Sequence, residues 1–163
     1  YSNGRTVTSR DLAIVTLFLG TGIRLSELQS LDFKDVDLKN GFIKVTRKGG
    51  NEDKVPLSAD VIKYLSQYEI HRGKKTGPYF LSNRNQRMHH KTIYKLIKKY
   101  FFFADLKGSP HSLRATCLTE ISRQGAQLPV VQAIAGHKDP NTTGRYTKAY
   151  EEDKRKAVEK LRF

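Results

Sequence analysis

Apolar residues fall along this chain in short periodic runs, each closed by glycine, proline or a polar turn. From about Arg10 to Gly20 the positions Leu12, Val15, Leu19 and Ile14, Phe18 form one apolar face. They predict a helix capped by Ser9 and ended by Thr21-Gly22. Ser26-Glu27-Leu28 opens a short second helix with Ser26 as its cap. Phe33 to Leu38, Gly41 to Thr46 and Lys54 to Leu57 read as three short strands. Asn40-Gly41 marks a tight turn, and Lys48-Gly49-Gly50-Asn51 a longer one. Helical patterning then returns: Ser58 caps a helix to about Glu69, and residues 71–77 form a basic, glycine-containing loop. Tyr79 to Leu81 is a short extended piece. His90 to Phe103 is a helix with Ile93, Leu96, Ile97 and Phe101 inward. Ser109-Pro110-His111-Ser112 starts a helix over Leu113 to Gln124, Pro129 sits at the start of another, and Gly136 ends it. Asp139-Pro140 opens a further short helix, and Ala149 to Leu161 carries a stripe of Tyr150, Ala157, Val158 and Leu161. The fold class expected is α+β, mostly helical, with a small three-stranded antiparallel sheet.

The length, 163 residues, suits a single domain, with residues 1–10 as a linker and 149–163 as a tail helix. The longest apolar stretch, Leu12 to Leu19, is interrupted by Thr16 and is too short to span a bilayer. Residues 1–10 are polar, with Arg5 and Arg10, and do not read as a secretory signal. Cys117 is the one cysteine, which excludes an internal disulfide and a cysteine-based zinc site. Together these features lead us to expect a soluble cytoplasmic protein. Charge narrows the partner. Thirty Lys and Arg against 16 Asp and Glu give +14, a surplus that repels itself but attracts a polyanion. DNA is the natural candidate, because neutralised phosphates release counterions, while charge alone leaves RNA and membrane surfaces open. From Arg72 to Lys107 the only acid is Asp105, so the basic surface is expected in the middle of the chain. From Glu151 both signs alternate, as on a solvated helix.

The residues able to do chemistry each have an ordinary structural reading when taken singly. Arg24 follows a helix-ending glycine, His111 begins a helix, and His137 lies just past a helix end. Arg114 stands one turn after His111, on the same side of its helix. Read together, they form a pattern. Thr21-Gly22-Ile23-Arg24-Leu25-Ser26-Glu27-Leu28 resembles the first conserved box of the tyrosine recombinase (phage integrase) family, and His111-Ser112-Leu113-Arg114 resembles its second. Leu128 to His137, followed by Thr142-Thr143-Gly144-Arg145-Tyr146-Thr147, resembles the third. Lys48, in Arg47-Lys48-Gly49-Gly50, matches the hairpin lysine of that family in context. The likeness runs from about Asp11 to Tyr146.

That resemblance implies a catalytic domain of a site-specific DNA recombinase or integrase, with Arg24, Lys48, His111, Arg114, His137 and Tyr146 as its catalytic set. Arginines suit the task because they donate bidentate hydrogen bonds to a phosphate and stay charged. Attack at phosphorus builds further charge, which preorganised donors such as Arg24, Arg114 and His137 would stabilise. A phenol is protonated at neutral pH, with a reference pKa of about 10, so Tyr146 needs an acceptor, and His111 is the candidate. Lys48 would protonate the leaving 5′ oxygen. The product implied is a covalent 3′-phosphotyrosine, which conserves the phosphodiester bond energy for rejoining. No cofactor and no metal are implied. Glu27 suits a helix N-terminus and also an arginine-orienting role.

Further expectations concern partners and boundaries. The partner implied is double-stranded DNA, bound by a homotetramer in which the tail at 149–163 docks on a neighbour or folds back on its own domain. Action at the nucleoid follows, with no membrane or small-molecule substrate. The family's N-terminal core-binding domain is expected to be absent from this chain. Lys91, Lys95, Lys98 and Lys99 cover one broad helix face suited to phosphate contacts. Ala115 stands where many family members carry a histidine or similar polar residue, which removes no catalytic group. His89-His90 reads as a surface pair pointing in different directions, Phe101-Phe102-Phe103 as mostly core, and Cys117 as a small core residue. Two alternatives share the chemistry or the fold: a catalytically silent DNA-binding module, and a type IB topoisomerase-like nicking-closing enzyme.

Overall fold

A computed structural model describes residues 8–47 and 49–136. Helix α1 (Ser9–Thr21) begins one residue before the sequence pattern places it, because Thr8 and not Ser9 is the cap. The Thr8 hydroxyl accepts the Asp11 amide at 3.1 Å. Its buried face is Ala13, Ile14, Leu17, Phe18 and Thr21, whereas Leu12 and Leu19 are exposed. The helix is apolar almost all round, so periodicity alone does not choose its inward face. Helix α2 (Leu25–Ser30) starts with Arg24 in the cap position, not Ser26. The Glu27 carboxylate reaches back to accept the Arg24 amide at 2.7 Å, which ends the need for a hydroxyl cap.

The sheet has the order β1-β2-β3, all antiparallel: β1 (Val36–Asp37), β2 (Phe42–Thr46) and β3 (Glu52–Pro56). The first strand is shorter than expected. Asp35 accepts the Asp32 amide at 2.9 Å and winds Phe33–Asp35 into a 3₁₀ turn, leaving two residues to pair. The third strand begins at Glu52, two residues earlier than its apolar pattern suggests, because Thr46 pairs with Glu52 across the hairpin. Helix α3 (Ala59–Arg72) runs past Glu69 and is capped by Ser58 as expected. The extended piece at Tyr79–Leu81 is pinned by isolated bridges, Asp32 with Pro78 and Leu81 with Arg87. Arg87 ties this piece to the end of α2 through the carbonyls of Gln29 (2.8 Å) and Leu31 (3.1 Å) and the Asp32 carboxylate.

Helix α4 (His90–Phe103) has the expected bounds, with Ile93 and Ile97 buried. Two expectations on it fail. Phe102 is 76% exposed, because three consecutive aromatics on a helix cannot share one face. His89 lies outside the helix as its cap, so the His89 and His90 rings come together, 4.2 Å apart, while both stay on the surface. Helix α5 (Pro110–Arg123) starts at the proline, and α6 (Leu128–Ala135) ends at Gly136. The main core joins α1, α2, the sheet, α3 and α4, with Leu113 of α5 at its edge. A second small cluster of Leu118, Val131 and Ala135 holds α6 against α5. Among the described residues no helix is long and apolar enough to cross a membrane. The two further helices expected after Gly136 lie outside the described residues.

Candidate active site

Helix α1 ends where the first candidate begins. Gly22 takes the left-handed conformation (φ +62°) and turns the chain so that Arg24 leaves at the head of α2. Its side chain is 31% exposed. Nη1 donates to Glu27 Oε1 at 2.7 Å, and Nη2 to the Gly136 carbonyl at 3.2 Å. Glu27, only 2% exposed, accepts three bonds: two from Arg24, and one from Arg47 Nη1 at 3.2 Å. Glu27 therefore holds an N-terminal cap and an arginine at once, so its two expected roles are compatible in one carboxylate.

Arg114 comes from the middle of α5. It is 4% exposed, and its Nη1 donates to the Gly22 carbonyl while Nη2 donates to the Ala135 carbonyl at 2.8 Å. The two arginines that the sequence separates by ninety positions thus hold consecutive carbonyls at the end of α6. They differ in depth, since Arg24 faces outward and Arg114 lies beneath it. His111, one turn ahead of Arg114 at the N-terminus of α5, is exposed. Lys48, His137 and Tyr146 lie outside the described residues, although Arg47 and Gly136 bring the chain to the first two.

Arg47 was not foreseen as part of the site, and it is the residue that binds the rest together. Its guanidinium, 8% exposed, donates to Asp53 Oδ2 from Nε (3.1 Å) and Nη2 (2.9 Å), to Glu27, and to the Ile134 carbonyl at 3.1 Å. A signal for it existed. Ile43 and Val45 point into the core, and Arg47 continues their alternation, so an arginine stands in an apolar phase of the strand. Three carbonyls in succession, Ile134, Ala135 and Gly136, are each taken by a different arginine from a different element. These are groups that a helix leaves unsatisfied at its C-terminus, where cations are also favoured by the helix dipole.

The tyrosines of the described region separate into two kinds. Burial pushes the Tyr79 hydroxyl well above its usual range, helped by its bond to Glu69 at 2.9 Å, and burial likewise raises Tyr68. Burial also raises Tyr100, which donates to Asp11 at 2.7 Å. These three are poor nucleophiles. Tyr64 and Tyr94 stand on α3 and α4, and Tyr1, Tyr146 and Tyr150 lie outside the described residues.

The remaining candidates fall elsewhere. Lys91, Lys95, Lys98 and Lys99 are all exposed on α4, and Lys99 lies over the Phe103 ring at 5.4 Å. Cys117 is buried under Gly22, and burial raises its thiol to about 11, as befits a small core residue. Among the described residues no three His, Cys, Asp or Glu side chains are grouped as metal ligands.

Comparison with known proteins gives a consistent result. The family model described as the phage integrase family matches residues 2–153. The chain is 38% identical over 157 residues to the tyrosine recombinase XerC of Thermodesulfovibrio yellowstonii, covering 90% of this chain and 52% of that protein. Among solved structures, XerA recombinase superposes with a TM-score of 0.84 at 30% identity, covering 95% of this chain and 58% of the other. XerH site-specific recombinase, bound to its difH substrate in a pre-cleavage complex, superposes with a TM-score of 0.79 at 25% identity. There the match covers 97% of this chain and 49% of the other. The chain spans about half the length of the relatives it matches.

Proposed function

The chain belongs to the phage integrase family, and from that premise we propose that it is the catalytic domain of a tyrosine-type site-specific DNA recombinase. The observation that carries this reading is the meeting of Arg24 and Arg114 on the carbonyls of Gly136 and Ala135, immediately before His137. Side chains from two boxes far apart in sequence thereby converge within the third.

In this reading a scissile phosphate of duplex DNA sits over Arg24. Arg114 reaches it by exchanging a backbone carbonyl for a phosphoryl oxygen, a charged and therefore stronger acceptor. His137 adds a further donor. The Tyr146 oxygen attacks phosphorus and its proton passes to His111, while the bond from phosphorus to O5′ breaks and O5′ takes a proton from Lys48. The product is a 3′-phosphotyrosine and a free 5′ hydroxyl. A 5′ hydroxyl from a partner strand then reverses the step and releases Tyr146. The exposed Lys91, Lys95, Lys98 and Lys99 contact neighbouring phosphates. Four protomers act on two duplexes, and residues 149–163 dock on a neighbour. Sedimentation on junction DNA with and without that tail tests the last point, and a tetramer unchanged by its removal would end the docking idea.

Covalent trapping tests the central step. The chain is mixed at low salt with nicked suicide duplexes drawn from a randomised pool, with Tyr146→Phe as control. A denaturant-resistant adduct mapping to Tyr146 and lost in the control is the expected result. An adduct that survives in the control would move the nucleophile to another tyrosine.

A further inference from the structure

We propose that Arg47 is a positioning residue, which sets the hairpin turn carrying Lys48 against the end of α6. This inference rests on the recombinase reading above. Its physical basis is the way the Arg47 side chain is engaged. The guanidinium bridges three elements at once: Asp53 of β3, Glu27 of α2, and the Ile134 carbonyl of α6. Gly136 packs so closely on it that an added Cβ would lie 2.7 Å from Nε and 2.8 Å from Cζ.

Among the described residues of the turn, two backbone hydrogen bonds close it. The Arg47 amide donates to the Asn51 carbonyl at 2.8 Å, and the Gly50 amide donates back to the Arg47 carbonyl at 3.0 Å. Gly49 and Gly50 both take positive φ, and an added Cβ at Gly50 would meet nothing within 4 Å. A glycine turn standing in open space has many conformations of similar energy. A buried arginine at its root removes much of that freedom from the turn. Only a planar fork serves, because a lysine in its place offers one point charge to three acceptors that lie in different directions.

Glu27 links this anchor to Arg24, since both arginines bind the same carboxylate. Displacing Arg47 therefore disturbs the hairpin first and the Arg24 side chain second. The consequence for catalysis is specific. A misplaced turn delays delivery of the Lys48 proton to the leaving O5′, and leaves the approach of Tyr146 to phosphorus comparatively untouched.

The test compares Arg47→Met, Arg47→Lys and the milder Asp53→Asn on two suicide duplexes. One has a normal scissile phosphodiester, the other a sulfur at the bridging 5′ position. Sulfur leaves as a thiolate and needs no proton, so the second substrate bypasses the lysine. With the normal duplex, Arg47→Met is expected to slow adduct formation on the order of 100-fold, as a misplacement of about 1 Å does. Asp53→Asn is expected to show the same pattern more weakly, and Arg47→Lys to fall between. The sulfur duplex is expected to recover most of the loss in all three. Wild-type rates on the normal duplex, or an equal loss on both, would overturn the proposal. Hydrogen exchange of the turn is measured alongside. The variants are expected to raise it several-fold over residues 49–51 while α1 and α3 stay protected, and unchanged exchange there would overturn the proposal on its own. If the wild-type chain forms no adduct with either duplex, the failure lies with the recombinase reading or with a chain half the length of its relatives, and exchange alone decides whether Arg47 holds the turn.

Discussion

At the scale of single residues, the site is governed by one buried carboxylate. Glu27 stands between two guanidinium groups and offsets much of their mutual repulsion. A buried ion pair adds little net stability over apolar packing, but removing one partner leaves charge uncompensated. Glu27→Gln is therefore expected to lower unfolding stability by about 3 kcal/mol. Urea denaturation reads this as a lower midpoint at unchanged slope, and a loss below about 0.5 kcal/mol would show that the arginines find other partners. Cys117 supplies a pH effect of known sign. Burial raises its thiol from 9.0 to about 11, so its contribution to stability is whole below pH 9 and is lost as pH rises through about 11. The wild-type chain is expected to lose more stability between pH 9 and 11 than Cys117→Ala does. Parallel pH profiles would show that the thiol is not shielded.

Two helix ends set the geometry at the scale of elements. Gly136 ends α6 in the left-handed region (φ +58°) with its Cα against the Arg47 guanidinium, so both conformation and space demand glycine. Gly136→Ala carries a backbone penalty of roughly 1–2 kcal/mol together with the clash. It is expected to weaken α6 docking, read as faster hydrogen exchange over 128–135, and unaltered exchange there would rule the clash out. Gly20 is a different case, because its backbone is helical and alanine would favour the helix. A Cβ there would lie 2.3 Å from Val61 Cγ2 of α3. Overpacking of this kind costs about 1–3 kcal/mol, more than the propensity gain of about 1. Gly20→Ala is expected to destabilise, and Gly20→Ala with Val61→Ala to recover part of the loss. Additive effects of the two changes would mean that the helices do not meet there.

The whole molecule is a basic body of net charge +14, with four exposed lysines along α4. In the recombinase reading each phosphate they neutralise adds about 0.9 to the slope of log affinity against log salt. Replacing Lys91, Lys95, Lys98 and Lys99 with alanine is expected to reduce that slope by roughly 3–4 and to weaken binding to all DNA sequences alike. A slope unchanged within error would place the DNA on another face. The layout also separates duties: α1, α3, α4 and the sheet make most of the core, while α2 both joins that core and meets α5 and α6 around the arginines.

The sequence by itself determined most of the elements and the family. Local signals placed α3, α4 and α5 to within a few residues: the Ser58 cap for α3, the stripe of Ile93, Leu96, Ile97 and Phe101 for α4, and Ser109-Pro110 for the start of α5. Arg24, His111 and Arg114 were singled out by the likeness of their boxes to the family, and the structure brings Arg24 and Arg114 together at the end of α6 while His111 stays exposed. The inward face of α1 was not legible, since a helix apolar on most sides gives no preferred direction until α3 and α5 pack against it. The cap of α2 was hidden too, because a glutamate three residues on displaced the serine. Only the tertiary structure decided that Arg24, Arg47 and Arg114 would meet on three successive carbonyls. Those partners are backbone groups, identical at every position of the chain, and no pattern of side chains can announce which of them a distant arginine will find.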